Sequence, residues 1–192
     1  MATKDDIITL PHSSLRQRST KIGAINDDII TTIENMKQAT LDWEASRSHE
    51  VGVALAAVQI NVLQRIVVIR NNFDNKEDTF FQVFINPKIS KFEGEVIEDY
   101  EGCLSIKNVY GLVPRYSKVR VSAMDEHGKQ VKVKAEGFLA RVFQHEIDHT
   151  NGTVFIDHIK DNPEAFFTLD EKGNLNPKDY DKDIKNNPDL WA

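Results

Sequence analysis

Between Phe138 and His149 the chain carries apolar side chains at two helical spacings at once. Phe138 and Val142 run into His145 and His149 at i, i+4, i+7 and i+11, and Leu139, Phe143 and Ile147 form a second stripe. A helix apolar on two sides has to be buried, so this segment predicts a fold built around it. The other segments supply the wrapping. Residues 63–70 and 80–85 read as strands, the second stopped by Asn86-Pro87. Residues 119–124 and 131–135 flank Asp125-Glu126-His127-Gly128, which has the turn chemistry of a β-hairpin. Residues 26–28 can cap a helix with apolar positions Ile29, Ile30, Ile33, Met36 and Leu41, and the polar residues 44–50 read as a loop. The expected class is α+β, with antiparallel or mixed strands wrapped around the central helix.

A chain of 192 residues, 40% of them hydrophobic, is long enough for one domain with a full core. The expected domain spans residues 1–192, with 161–192 as a polar, acidic C-terminal extension carrying a turn at Asp170-Glu171-Lys172-Gly173-Asn174. The net charge is −6 and no basic block stands out, which argues against direct binding of nucleic acid through phosphate contacts. No apolar run reaches the length of a membrane-spanning helix, and the N-terminus has neither a signal core nor transit character. A single cysteine cannot form an internal disulfide, so a reducing, cytoplasmic compartment is expected.

The buried helix also carries chemistry. His145 and His149 are spaced i, i+4, which places both imidazoles on one face, about 6 Å apart along the axis. Two such imidazoles can hold one metal ion, with the intervening Glu146 as general base. Cys103 would be a third ligand and leave a fourth position open, the form of a catalytic site. The bland alternatives are a satisfied polar stripe on an ordinary helix and a cysteine that is a small buried hydrophobe. Burial favours the metal, because buried histidines and a glutamate without a ligand carry a desolvation cost. Residues 52–59, Gly-Val-Ala-Leu-Ala-Ala-Val-Gln, are either tight core or a backbone brought close to the site, with Gln59 offering an N–H to a developing oxyanion.

Three segments in this order, residues 52–59, 101–105 (Glu-Gly-Cys-Leu-Ser) and 144–152 (Gln-His-Glu-Ile-Asp-His-Thr-Asn-Gly), resemble the peptide deformylase family. The resemblance runs from Leu10-Pro11 and Leu15-Arg16, through Ile85-Asn86-Pro87 and Leu112-Val113-Pro114-Arg115, to Phe155-Ile156-Asp157. It implies a hydrolase that removes the formyl group from the N-terminal methionine of new polypeptides. It implies one divalent metal on Cys103, His145 and His149, ferrous iron in the cell, with zinc, nickel or cobalt able to take the same site. It further implies Glu146 as the proton-transfer group and, with Gln59, the Leu104 backbone N–H as oxyanion donor. The substrate would lie against Gly52, Val53, Ala54, Gly102, Phe138, Arg141 and Val142. Its expected partners are N-formylmethionyl nascent chains, and it is expected to be a monomer. Ribosome association stays open, although the chain lacks a long basic C-terminal helix for it. The competing readings are a metallopeptidase using the same H-E-x-x-H and a degenerate homologue that binds formylated peptides without turnover.

Gln144 and Glu101 are expected to hydrogen-bond or orient the ligands, and Asp148 to pair with Arg115. His12, His49, His127 and His158 match no ligand spacing and read as structural or solvated. Three positions depart from the family pattern. Ala54 stands at a usual glycine, Arg141 at a usual apolar residue, and Tyr110 where some members are basic. Arg141 is expected to carry its charge to the pocket rim or to Asp148.

Overall fold

A computed structural model of the chain describes residues 2–47, 50–73 and 75–191. The expected loop residue His49 lies outside them. Asn26 caps helix α1 (Asp27–Ala45), its side chain accepting from the Ile29 N–H. Three strands follow in antiparallel succession: β1 (Ala54–Ala56), β2 (Ile66–Arg70) and β3 (Phe81–Cys103). A turn at Leu104-Ser105 joins β3 to β4 (Ile106–Met124), and β5 (Gln130–Glu136) returns along β4. Helix α2 (Gly137–Thr150) comes next. The chain closes with β6 (Phe166–Leu169), β7 (Leu175–Pro177) and the single helical turn α3 (Pro188–Trp191). All strand pairs are antiparallel within one sheet, and the class is α+β.

The sheet is covered on both faces where β1 and β2 run, and their side chains divide accordingly. Val67 and Ile69 join Ala54, Ala56, Phe84, Phe143 and Ile147 in a core between sheet and α2. Ile66 and Val68 point the other way, with Leu55, Val83 and Ile85, onto Ile29, Ile33 and Met36 of α1. A strand buried on both faces reads as a continuous apolar run, which is why residues 66–70 are apolar up to Arg70. A third core gathers Leu10, Leu15, Val113, Phe155, Phe166, Ile184 and Leu190 beneath the long β3–β4 hairpin.

Two expectations change. Residues 81–85 of the expected 80–85 do form a strand, but Asn86-Pro87 does not stop it. Asn86 adopts φ +53°, the ladder skips between Ile85 and Lys88, and β3 continues for 16 residues beyond Pro87 to Cys103. The reason is a β-bulge held from outside: Asn86 accepts from the Ile22 N–H and donates to the Ile22 carbonyl. Residues 44 and 45 belong to α1 instead of a loop, because Glu44 reaches inward to the buried Arg70 and accepts from the Gly52 N–H. Within the polar tail, Phe166, Ile184 and Leu190 bury their side chains in the third core.

Two glycines mark close approaches. At Gly152 (φ +79°) a Cβ would lie 2.6 Å from the Arg16 carbonyl oxygen, so only glycine lets the N-terminal arm cross the end of α2. That arm is fixed by Arg16, which donates to Asp157 and to the Leu190 carbonyl. At Gly52 a Cβ would lie 2.7 Å from Thr40 Cγ2, so α1 packs directly on this backbone.

The bulge gives a stability test. Asn86→Ala should destabilise by about 2–3 kcal/mol, from left-handed strain and two lost hydrogen bonds, in urea denaturation. Asn86→Gly should recover part of that loss, because it relieves the strain alone. Equal losses for the two variants would contradict this account.

Candidate metal centre

Cys103 is the last residue of β3, at the hairpin turn, and α2 crosses beneath it. The ligand atoms of Cys103, His145 and His149 lie within 4.8 Å of one another. Cys103 Sγ is 3.2 Å from His149 Nε2. The three residues that spacing and resemblance nominated are thus brought to one point from two elements, with His149 46 residues beyond Cys103.

The orientation of His145 follows from its other nitrogen. Nδ1 is 2.9 Å from Glu101 Oε2. Glu101 is a carboxylate with acceptor oxygens only, so Nδ1 carries the proton and the Nε2 lone pair is left for a ligand. Burial alone would raise the Glu101 carboxyl, but His145 and Arg115 outweigh it and hold the group well below the usual range. Arg115 donates from Nε to Oε1 at 2.9 Å and from Nη2 to Oε2 at 3.1 Å. Arg141 donates to Oε1 at 2.8 Å. Arg115 extends the network to Asp148, which also contacts His158 Nε2 at 2.7 Å. Burial would raise Asp148 as well, and His158 and Arg115 reverse the direction.

Arg141 therefore departs from its expected role. Its charge reaches neither the rim nor Asp148. It is buried against Glu101 and donates to the carbonyls of Ile97, Asp99 and Val113. A buried guanidinium can stay only where its fork is filled, and the two hairpin strands fill it. Gln144 also differs from expectation. Its amide brackets the backbone N–H and carbonyl of Tyr116, so it anchors α2 to β4 and touches no ligand. Glu101 alone of the two holds a histidine. His158 joins the Asp148 network, and His12 accepts from the Ser14 N–H.

Glu146 is buried beside the histidines, with Oε2 lacking any protein partner, and burial pushes its carboxyl up to about 7. His149 Nδ1 is a second buried orphan. Burial also keeps His149 well below the ordinary range, while His145 is held above it by Cys103 and Glu101 despite burial. Across the cavity, Gln59 Oε1 accepts from the Ala56 N–H at 2.8 Å. Its Nε2 donates to Ser105 Oγ at 3.2 Å and lies 3.6 Å from Cys103 Sγ. The amide is thereby fixed with its donor end towards the sulfur.

Val53, Ala54, Gly102, Phe138, Arg141 and Val142 line a cavity of about 330 Å³ that also reaches Gln59, Cys103, Leu104, His145 and Glu146. Gly52 does not line it, because that residue faces Thr40 of α1. Glu101 and Tyr110 also line the cavity, and Trp43, Glu50, Val51, Tyr100 and Leu169 do so without having been singled out from sequence. For Leu169 a signal was present: the short apolar run Ala165-Phe166-Phe167 ahead of the Asp170–Asn174 turn is a strand entering a hairpin.

Comparison with known proteins agrees with this geometry. Residues 4–164 match the family model described as polypeptide deformylase. The peptide deformylase of Brachyspira hyodysenteriae is 39% identical over 157 residues, covering 81% of this chain and 80% of its own. That of Halothermothrix orenii is 41% identical over 145 residues, covering 76% of this chain and 86% of its own. The crystal structure of a peptide deformylase from Legionella pneumophila superposes with a TM-score of 0.71 at 37% identity, over 82% of this chain and 86% of that one. With the family model spanning most of the chain, and the three residue types of the cluster standing in the motifs that suggested them, the chain belongs to the polypeptide deformylase family.

Proposed function

We propose that this protein is a metal-dependent hydrolase that removes the formyl group from the N-terminal formyl-methionine of new polypeptides and releases formate. The observation that carries the reading is a thiol and two imidazoles converging beside the buried Glu146 carboxylate, whose Oε2 has no protein partner. A buried carboxylate oxygen without a partner is costly, and a metal-bound water would satisfy the one on Glu146. One sulfur and two imidazole nitrogens suit ferrous iron, zinc, nickel or cobalt. We take iron as the resident metal. When bound, such an ion supplies a Lewis acid and lowers the pKa of a water at the position that three protein ligands leave open.

The chain's own residues divide the remaining work. Glu146 takes the proton of the attacking water and passes it to the leaving amine. The Gln59 side-chain N–H and the Leu104 backbone N–H receive the formyl oxygen as it gains charge. Gln59 suits this role because the Ala56 N–H and Ser105 Oγ already set its orientation. Val53, Phe138 and Val142 offer the apolar wall for the methionine side chain. The Arg141 stem can join that wall because its charge is spent on Glu101 and three carbonyls. Among the described residues no helix is long and apolar enough to cross a membrane. The reading extends to a monomer acting in the cytoplasm on chains emerging from the ribosome.

The direct test is formate release from formyl-Met-Ala-Ser by metal-loaded protein. Glu146→Ala should keep its metal and lose turnover by about 10²–10⁴-fold. Near-normal turnover in that variant would remove Glu146 from the proton-transfer role, and cleavage of an internal peptide bond would favour a metallopeptidase. A second outcome concerns the metal. Iron-loaded protein should lose activity in air faster than nickel- or cobalt-loaded protein, as iron and the Cys103 thiolate oxidise. Equal half-lives would contradict oxidation at an iron–thiolate centre.

A further inference from the structure

The family match ends at residue 164, and β6 begins at Phe166. The β6–β7 segment lies beyond that match. β6 pairs with β4, Phe166 opposite Gly111 and Phe167 opposite Tyr110. Phe166 is fully buried, and the Phe167 ring meets the Tyr100 ring edge-on with centroids 5.0 Å apart. Both contacts hold β6 firmly against the hairpin that carries Cys103. The strand ends at Leu169, and Asp170 turns the chain back into β7 with its side chain accepting from the Lys172 and Asn174 N–H groups. Leu169 is half-buried and belongs to none of the three cores. Its side chain instead faces the cavity over the candidate metal centre.

Leu169 also lines a second cavity of about 250 Å³. The two cavities share Trp43, Glu50, Cys103, Leu104, Tyr110 and Leu169, so the second adjoins the first. Tyr110 donates to Glu50 at this junction. A substrate with its formyl group near Cys103 and its methionine against Val142 has more chain to place. The second cavity is the space that opens from Cys103 and Leu104 past Leu169.

We propose that the β6–β7 hairpin forms a wall of the substrate groove and that Leu169 is a specificity-determining residue. It would contact the peptide downstream of the formylated methionine and favour an apolar side chain at the boundary that Leu169 and Trp43 line, ahead of the charged Arg47, Lys107, Asp170 and Glu171 in the rest of the second cavity. This rests on the deformylase reading of the site. A tail that merely caps the edge of β4 would not direct an aliphatic side chain into both cavities.

The test compares metal-loaded parent, Leu169→Ala and Leu169→Lys proteins, each checked for an unchanged thermal melt. Substrates are formyl-Met-Ala and formyl-Met-Ala-X-Ser, with X leucine or glutamate. Leu169→Ala should raise KM for the longer leucine peptide about tenfold more than for the dipeptide, with kcat moving less than KM. Leu169→Lys refills the space with its stem and should move preference from leucine to glutamate at X. A KM effect of equal size on short and long substrates, or an unchanged preference at X in Leu169→Lys, would overturn the inference. A parent that releases no formate from any of them would overturn the deformylase reading itself, and this one with it.

Discussion

The carboxylate of Glu101 is the point on which the site depends. It is buried, and burying a carboxylate costs several kcal/mol unless every lone pair is met. Here Arg115 of β4, Arg141 of α2 and His145 of α2 meet them together. These partners come from the neighbouring strand and from the helix beneath, so satisfying one charge fixes the hairpin on α2. Cys103 lies two residues further along the same strand. Its position against His145 and His149 is a consequence of how Glu101 is satisfied. Arg141 adds three carbonyls of the two strands to the same device. Loss of any single partner would leave charge uncompensated in a dry interior, which is more damaging than the loss of one ordinary hydrogen bond.

The opposite wall is set by a second buried ion pair. Arg70, at the end of β2, lies against Glu44 of α1 and over the Phe81 ring. Glu44 accepts in turn from the Gly52 N–H, and the Arg70 N–H donates to the Val53 carbonyl. The segment 52–54 is thus pinned between helix and sheet before it reaches the cavity at Val53 and Ala54. Gly52 serves this packing and not the cavity, since Thr40 occupies the space its side chain would need. The motif that looked like one functional unit in sequence divides into a packing half and a lining half.

What was legible in the sequence was local. The double apolar stripe of residues 138–149 announced a buried helix, and the i, i+4 histidines announced a shared ligand because helical spacing alone brings them together. Cys103 entered through its motif setting. The long hairpin was not legible between residues 88 and 118. Lys91, Glu93, Glu95, Glu98 and Asp99 interrupt any apolar alternation there, and the far end exposes Phe92, Val96 and Tyr116. That hairpin is held by strand pairing and by the Glu101 network, whose partners sit 14 to 44 residues away. The same distance hid the role of Arg141: its partners belong to strands about 28 to 44 residues earlier, and nothing near it in sequence signals them. In the tail, acidic and amide residues masked a few apolar side chains that decide its fold.

The account is tested most directly by the metal affinity of Glu101→Gln, measured by chelator competition under anaerobic conditions on folded protein. An amide cannot balance two guanidiniums or hold the His145 N–H as a carboxylate does. Affinity should fall about 10–100-fold relative to the parent, with Cys103, His145 and His149 all still present. An affinity equal to the parent's would show that the three residues find their places without Glu101, and would contradict the central claim.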